Sequence, residues 1–187
     1  MIEDFYFYSL SLKLKYRIMY KTAAKIARKF LKESTLFKIG FNLSPMYRRS
    51  TGRVTYVSDD LKTIKIIIPI SYKNKNYIGS IFGGSLFSAV DPIPMIQLMS
   101  IFKEEYIVWD ESANIRFKRP AKENMYASFE FTDEEIENIH KKVFENKEAE
   151  HQKTTFITNK TGDIVYCEVI KTIYIADKEF YKEKKKK

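Results

Sequence analysis

The residues best able to do chemistry crowd into one stretch, GSIFGGSLFSAVDPIP (residues 79–94), which holds three of the six glycines and two of the five prolines of the 187-residue chain. Gly83 and Gly84 fall where a helix can begin. The first N–H groups of a helix have no intrahelical acceptor and carry the positive end of its dipole, and glycine lets a ligand come close to them. An oxyanion forming on a carbonyl suits such a place, as does a phosphate; a packing or turn device uses the same residues. Seven residues further on, Asp91 is the only charged residue between Asn76 and Phe102. A carboxylate in so apolar a run is costly unless it is partnered, protonated or functional, and burial that raised its pKa would suit a general base. Asp-Pro also initiates turns, and Pro92 and Pro94 interrupt a helix at that point.

Other candidates are weaker. Ser80, Ser85 and Ser88 have no neighbouring histidine and no nucleophile-elbow pattern, and read as capping or small packing residues. His140, in IENIHKKV, and His151, beside Glu150, read as surface or strand-edge residues. Asp110 and Glu111, beside Trp109, enter a strand and face either a site or water. The single cysteine, Cys167, excludes an internal disulfide framework and a multi-cysteine zinc site, and two histidines exclude a three-histidine metal centre.

Composition narrows the class. With 44% hydrophobic and 30% charged residues the chain can bury a core, and its length suits one domain. The net charge of +9 is not spread evenly: residues 1–50 hold 11 Lys/Arg against 3 Asp/Glu, residues 181–187 hold 5 against 1, and residues 51–180 hold 17 against 20. The middle is mildly acidic, so the basicity describes solvated ends rather than a nucleic-acid footprint, and no RNA-recognition aromatic motif accompanies it. At the start, Glu3 and Asp4 precede the apolar stretch and the positive charge follows it, the reverse of a secretory signal peptide. The apolar run from Asn76 to Phe102 is interrupted by Gly79, Gly83, Gly84, Pro92 and Pro94, and reads as a helix buried in a soluble protein rather than a membrane span.

The elements that must position these residues follow from periodicity. Ala23, Ile26, Ala27, Phe30 and Leu31 recur at helical spacing among Lys21, Lys25, Arg28, Lys29 and Lys32, predicting a basic amphipathic helix over Tyr20–Ile39 stopped by Gly40. It packs on the domain or attaches to an anionic membrane surface. Arg53–Val57 and Thr63–Ile70 predict a hairpin across Asp59 and Asp60. After the buried helix come strands over Tyr106–Phe117 and Met125–Phe131, then a short acidic helix from Thr132 to about Phe144. Strands over Gln152–Thr158 and Ile164–Ile175 meet across Asn159–Asp163, and the lysine-rich tail from Lys178 is predicted to be mobile. One curved antiparallel sheet wrapped around one apolar helix, an α+β arrangement, accounts for this order.

The string FGGSLFSAVD, Phe82 to Asp91, resembles the helix of hot-dog-fold acyl-CoA thioesterases of the phenylacetate-degradation type, in which His-Gly-Gly opens the helix and an aspartate follows at the same offset. SANIRFKRPAKENMYASFEF resembles that fold's two strands with their Arg-Pro separator, and GDIVYCEVIKTIYI its last strand. The pattern GxxFGGSL followed by Asp-Pro is similar to a thioesterase-like branch of uncharacterised function. The resemblance spans about Pro45 to Ala176. It implies a hot-dog domain over 45–177, flanked by a basic helical segment over 1–44 and a basic tail over 178–187.

For function, the resemblance implies hydrolysis of acyl-CoA to a carboxylic acid and coenzyme A. Backbone N–H groups at Gly83 and Gly84 would polarise the thioester carbonyl, and Asp91 would act as nucleophile or as general base for water. Phe82, Ser80 and Ser85 would lie near the substrate, and Arg116 and Arg119 would meet the coenzyme A phosphates, although a solvated strand face also explains those arginines. Gly84 and Asp91 lie two turns apart, roughly 10 Å along the axis. The family's arrangement, a dimer or dimer of dimers in which one subunit's helix start faces the other's aspartate, is therefore expected. No metal or redox cofactor is called for, coenzyme A entering only with the substrate, and a cytoplasmic location, peripheral to a membrane if the basic helix attaches to one, is expected. Phe82 departs from the family, because it replaces a polar histidine with a ring that has no donor and no titratable group. A non-catalytic acyl-CoA or lipid-binding module is the alternative.

Overall fold

In the computed structural model, which describes residues 31–103 and 105–186, the β-branched runs form strands whose inward positions are apolar. Strand β1 is Arg53–Val57 and β2 is Thr63–Ile68, where Ile64, Ile66 and Ile68 are buried on alternate positions. Strands β3 (Ile107–Phe117), β4 (Met125–Glu130), β5 (Glu148–Thr158) and β6 (Val165–Ala176) complete one six-stranded antiparallel sheet in the order β1-β2-β4-β5-β6-β3. The sheet curves around a long central helix, the hot-dog arrangement. Strands β1 and β3 are its two edges.

The central helix comes in two consecutive segments, α3 (Gly83–Val90) and α4 (Pro92–Ile101), after α1 (Glu33–Leu43) and α2 (Pro45–Arg49). Asp91 joins them with helical backbone angles (φ −50°, ψ −52°), and its N–H donates to Phe87 O at 2.9 Å. Pro92 and Pro94 lack the N–H groups that would bond the carbonyls of Ser88 and Val90, which is why regular helix lapses here. Two buried donors from elsewhere brace the break. Tyr47 Oη donates to Ala89 O at 3.0 Å, and Lys171 Nζ donates to Asp91 O at 3.0 Å. Leu86, Ala89, Val90 and Ile93 pack into one core cluster with Ile64, Ile66, Met125, Ile157 and Val169. Leu98 and Phe102 belong to a second with Ile139, Val143 and Ile173.

The ends differ from the sequence-based expectation. Of the helix predicted over Tyr20–Ile39, residues 20–30 lie outside the described residues; Leu31 and Lys32 are not helical, and α1 runs on through Gly40 to Leu43. Its stop is Ser44-Pro45, since the residue before proline is kept out of the helical region. The predicted mobile tail forms α6 (Lys178–Lys184) instead. Asp177 caps it, accepting from the N–H of Glu179 at 2.9 Å and of Phe180 at 3.0 Å. Those two bonds, Phe180's foremost, hold its carboxyl below the usual range. The acidic helix, α5 (Asp133–Asn146), carries a full capping box between Thr132 and Glu135.

Candidate functional site

Asparagines shape the approach to α3. Asn76 Oδ1 accepts from the N–H groups of Ile78 (3.2 Å) and Ser80 (3.1 Å), and Gly79 takes φ +81° to close that turn. Ser80, buried, is committed there, its Oγ accepting from Asn76 Nδ2 at 3.0 Å. Buried Asn74 accepts at its main-chain oxygen from Phe82 N–H (2.7 Å) while its Nδ2 donates to Thr51 Oγ1 (2.7 Å) and Pro69 O (2.9 Å). Phe82 is therefore fixed as the residue preceding the helix, and its carbonyl accepts from Ser85 N–H (2.9 Å) and Leu86 N–H (3.2 Å). This leaves the N–H groups of Gly83 and Gly84 as the first-turn donors with no intrahelical acceptor.

Two aromatic rings crowd those glycines. A Cβ on Gly83 would stand 2.8 Å from Phe117 Cζ, and one on Gly84 would collide with the ring of Phe82 itself. Both rings remain more than half exposed, at 53% for Phe117 and 59% for Phe82. The helix start is thus a main-chain donor site walled by apolar rings. Ser85 is half-buried in the first turn, and Ser88 donates back to Gly84 O at 2.6 Å.

At the far end of α3, Asp91 is not the unpartnered buried carboxylate that the apolar run suggests. Its side chain is 39% exposed, and its Oδ1 lies 2.6 Å from the Nζ of Lys171. Lys171, only 2% exposed, also meets Asp110 Oδ2 at 2.7 Å. Removal from water raises the Asp110 carboxyl above its ordinary pKa; the hydrogen bond from Lys171 opposes the rise and the charge of Asp91 adds to it. Lys171 was missed by the sequence reading, although the alternation in VYCEVIKTIYIA puts it on the inward face with Cys167, Val169, Ile173 and Ile175.

The remaining sequence candidates are placed elsewhere. Arg116 pairs in register with Glu168, between inward-facing Ile115 and Phe117, and so lies on the sheet face away from the helix. The Arg119 guanidinium stacks 5.9 Å from the ring of Tyr166. His140 Nδ1 meets Tyr106 Oη at 2.8 Å, and His151 Nε2 stands 3.6 Å from Glu135 Oε1. Burial pushes the Cys167 thiol up to about 11, so it is no thiolate at neutral pH. Among the described residues, no group of three or more His, Cys, Asp or Glu could hold a metal ion, and no helix is long and apolar enough to cross a membrane.

Comparison with known proteins agrees with this architecture. A family described as "Domain of unknown function (DUF4442)" matches residues 34–175. A Pseudomonas aeruginosa protein of unknown function, called a probable thioesterase, has a similar solved structure: TM-score 0.68 and 20% identity over 76% of this chain and 95% of that one. A Chlorobaculum tepidum protein with unknown function gives TM-score 0.62 at 16% identity, covering 76% and 93%. A Haemophilus influenzae thioesterase gives 0.55 at 11%, covering 75% and 88%. No curated protein matches the chain. At these identities the likeness is one of fold, and that fold is the hot dog.

Proposed function

The chain belongs to the DUF4442 family, and from that premise we propose that it hydrolyses acyl-CoA thioesters. One observation carries the reading: a helix whose first N–H groups belong to Gly83 and Gly84 ends, seven residues on, in a carboxylate held by an ion pair. The thioester oxygen would lie against the Gly83 and Gly84 N–H groups. Asp91 would take a proton from water as the water oxygen attacks the carbonyl carbon, and the negative charge developing on the carbonyl oxygen would be met by those donors. Collapse of the tetrahedral intermediate would break the C–S bond, the proton held by Asp91 passing to the leaving sulfur, and release coenzyme A and a carboxylic acid. Direct attack by Asp91, through a mixed anhydride that water then cleaves, has the same products.

The two halves of the site stand two turns apart on one helix, so we place the Gly83–Gly84 donors of one subunit opposite Asp91 of a second. The sheet edge supports a dimer: β3 is 11 residues long, largely exposed, and has a neighbour on one side only. Such an edge is a ready template for another strand. Phe82 favours a second reading, because its ring lies over Gly84 where the related thioesterases have histidine: a module that binds acyl-CoA without cleaving it. Titration with hexanoyl-, palmitoyl- and phenylacetyl-CoA, following both binding and thiol release, separates the two. Thiol release is the expected result; saturable binding with no thiol release would establish the binding module instead.

A further inference from the structure

Lys171 is an outlier in its own strand. The inward positions of β6 are Cys167, Val169, Lys171, Ile173 and Ile175, all buried, and four of the five are apolar. An ammonium taken from water at such a position is strongly destabilising unless its donors and its charge are both answered. Here two donors go to Asp91, at its main-chain O (3.0 Å) and Oδ1 (2.6 Å), and the charge is answered by that carboxylate and by a second, Asp110, whose Oδ2 stands 2.7 Å from Nζ. Among the described residues, the carboxylates paired with Nζ come from two elements, the α3–α4 junction and β3. Lys153 is opposite Lys171 in register on β5, but its Nζ is turned to Glu135, at 2.7 and 2.9 Å.

The supply of Asp110 depends on a local irregularity. In β3, Asp110 pairs with Ile173 and Phe117 with Cys167, both inward residues of β6, yet seven positions separate them. Strict alternation would place them on opposite faces. The bulge between Asp110 and Ser112 resolves this by resetting the alternation, so that Asp110 reaches Lys171 while Phe117 still reaches Gly83. A lysine needed only to brace the helix break would require Asp91 O alone. This one holds both the main-chain oxygen and the carboxylate of the same residue, and is itself tied from the far side.

We infer that Lys171 is the positioning residue of Asp91: its Nζ clamps Oδ1 and the main-chain oxygen together, Asp110 anchors Nζ, and Oδ2 is the carboxylate oxygen presented outward. This rests on the proposed hydrolase reading for its catalytic consequence. The test uses the full chain with Lys171→Met, Lys171→Arg, Asp110→Asn, Asp91→Asn and the double variant Asp91→Asn/Lys171→Met, assayed with hexanoyl-CoA. Lys171→Met should lower kcat by about tenfold or more with KM changed less than about threefold, and Lys171→Arg should recover part of the loss. The double variant should be no slower than Asp91→Asn alone, since a residue acting only through Asp91 has nothing left to position. Wild-type kcat in Lys171→Met, or a further loss in the double variant, would overturn the inference while leaving the hydrolase reading intact.

A second readout does not depend on turnover. In protein labelled with 13C at the aspartate carboxyls, the Asp91 resonance, assigned by its loss in Asp91→Asn, should shift in Lys171→Met and, less so, in Asp110→Asn. An Asp91 resonance unmoved by Lys171→Met overturns the clamp. If the wild type releases no thiol but the resonance moves, the hydrolase reading fails and the clamp stands. Asp110→Asn and Lys171→Arg keep the test decisive should Lys171→Met not fold.

Discussion

At the scale of single residues, Phe82 stands where the thioesterases that FGGSLFSAVD resembles have histidine. Its carbonyl and N–H are held by Leu86, Ser85 and Asn74, so its main chain is fixed whatever the side chain is. A histidine there would keep the helix start and add a donor and a proton-transfer group beside the Gly83 and Gly84 N–H groups. Phe82→His is therefore expected to raise kcat for acyl-CoA hydrolysis by about tenfold; unchanged thiol release in a folded Phe82→His preparation would show that the side chain at 82 plays no part in turnover. The glycine pair and Asp91 were legible in the sequence because glycines, prolines and a lone charge punctuate an apolar run. Lys171 was equally visible, as a charge in the inward phase of β6, but no local pattern ties it to Asp91, 80 residues away. Only the sheet brings them together.

At the scale of elements, the central helix is maintained through its proline break by side chains from outside it. Tyr47 is fully buried, burial pushes its phenol well above the ordinary pKa, and its Oη donates to Ala89 O. Tyr47→Phe keeps the packing and removes that donor; urea unfolding should show a loss of about 1.5 kcal/mol. A loss near zero would mean that the carbonyl finds another donor. Strand β5 adds a pH dependence. Burial pushes the His151 imidazole below its ordinary pKa, against the attraction of Glu135. The unfolded chain then binds more protons at this site, so stability is full above about pH 6.5 and is lost as the pH falls toward the folded pKa. Unfolding midpoints compared at pH 7.5 and 5.5 should fall further for the wild type than for His151→Gln; equal falls would clear His151. The strands were readable because alternation is local. Helix α6 is hard to read because a lysine run resembles a solvated tail, and its cap, Asp177, falls between the predicted strand and that tail.

At the scale of the whole molecule, the sheet wrapped around one helix separates the donor pair from the carboxylate, and the site we propose would require two copies. Gly83→Pro removes one donor at the first helical position, and Phe82 already has the extended backbone that a following proline demands (φ −59°, ψ 131°); the half-exposed Phe117 ring, 2.8 Å from a Cβ there, has to swing outward to admit it. Gly83→Pro and Asp91→Asn should each lose about a hundredfold in activity alone. Mixed and co-refolded in equal amounts, they should recover about a quarter of wild-type activity, because half of the dimers are mixed and each has one intact site of two. No recovery would place both halves within one chain. The central claim is met most directly by thiol release from hexanoyl-CoA, wild type against Asp91→Asn, in preparations matched for folded content. The account predicts release by the wild type and its loss, by about a hundredfold or more, in the variant. Release that is equal in the two proteins would contradict it.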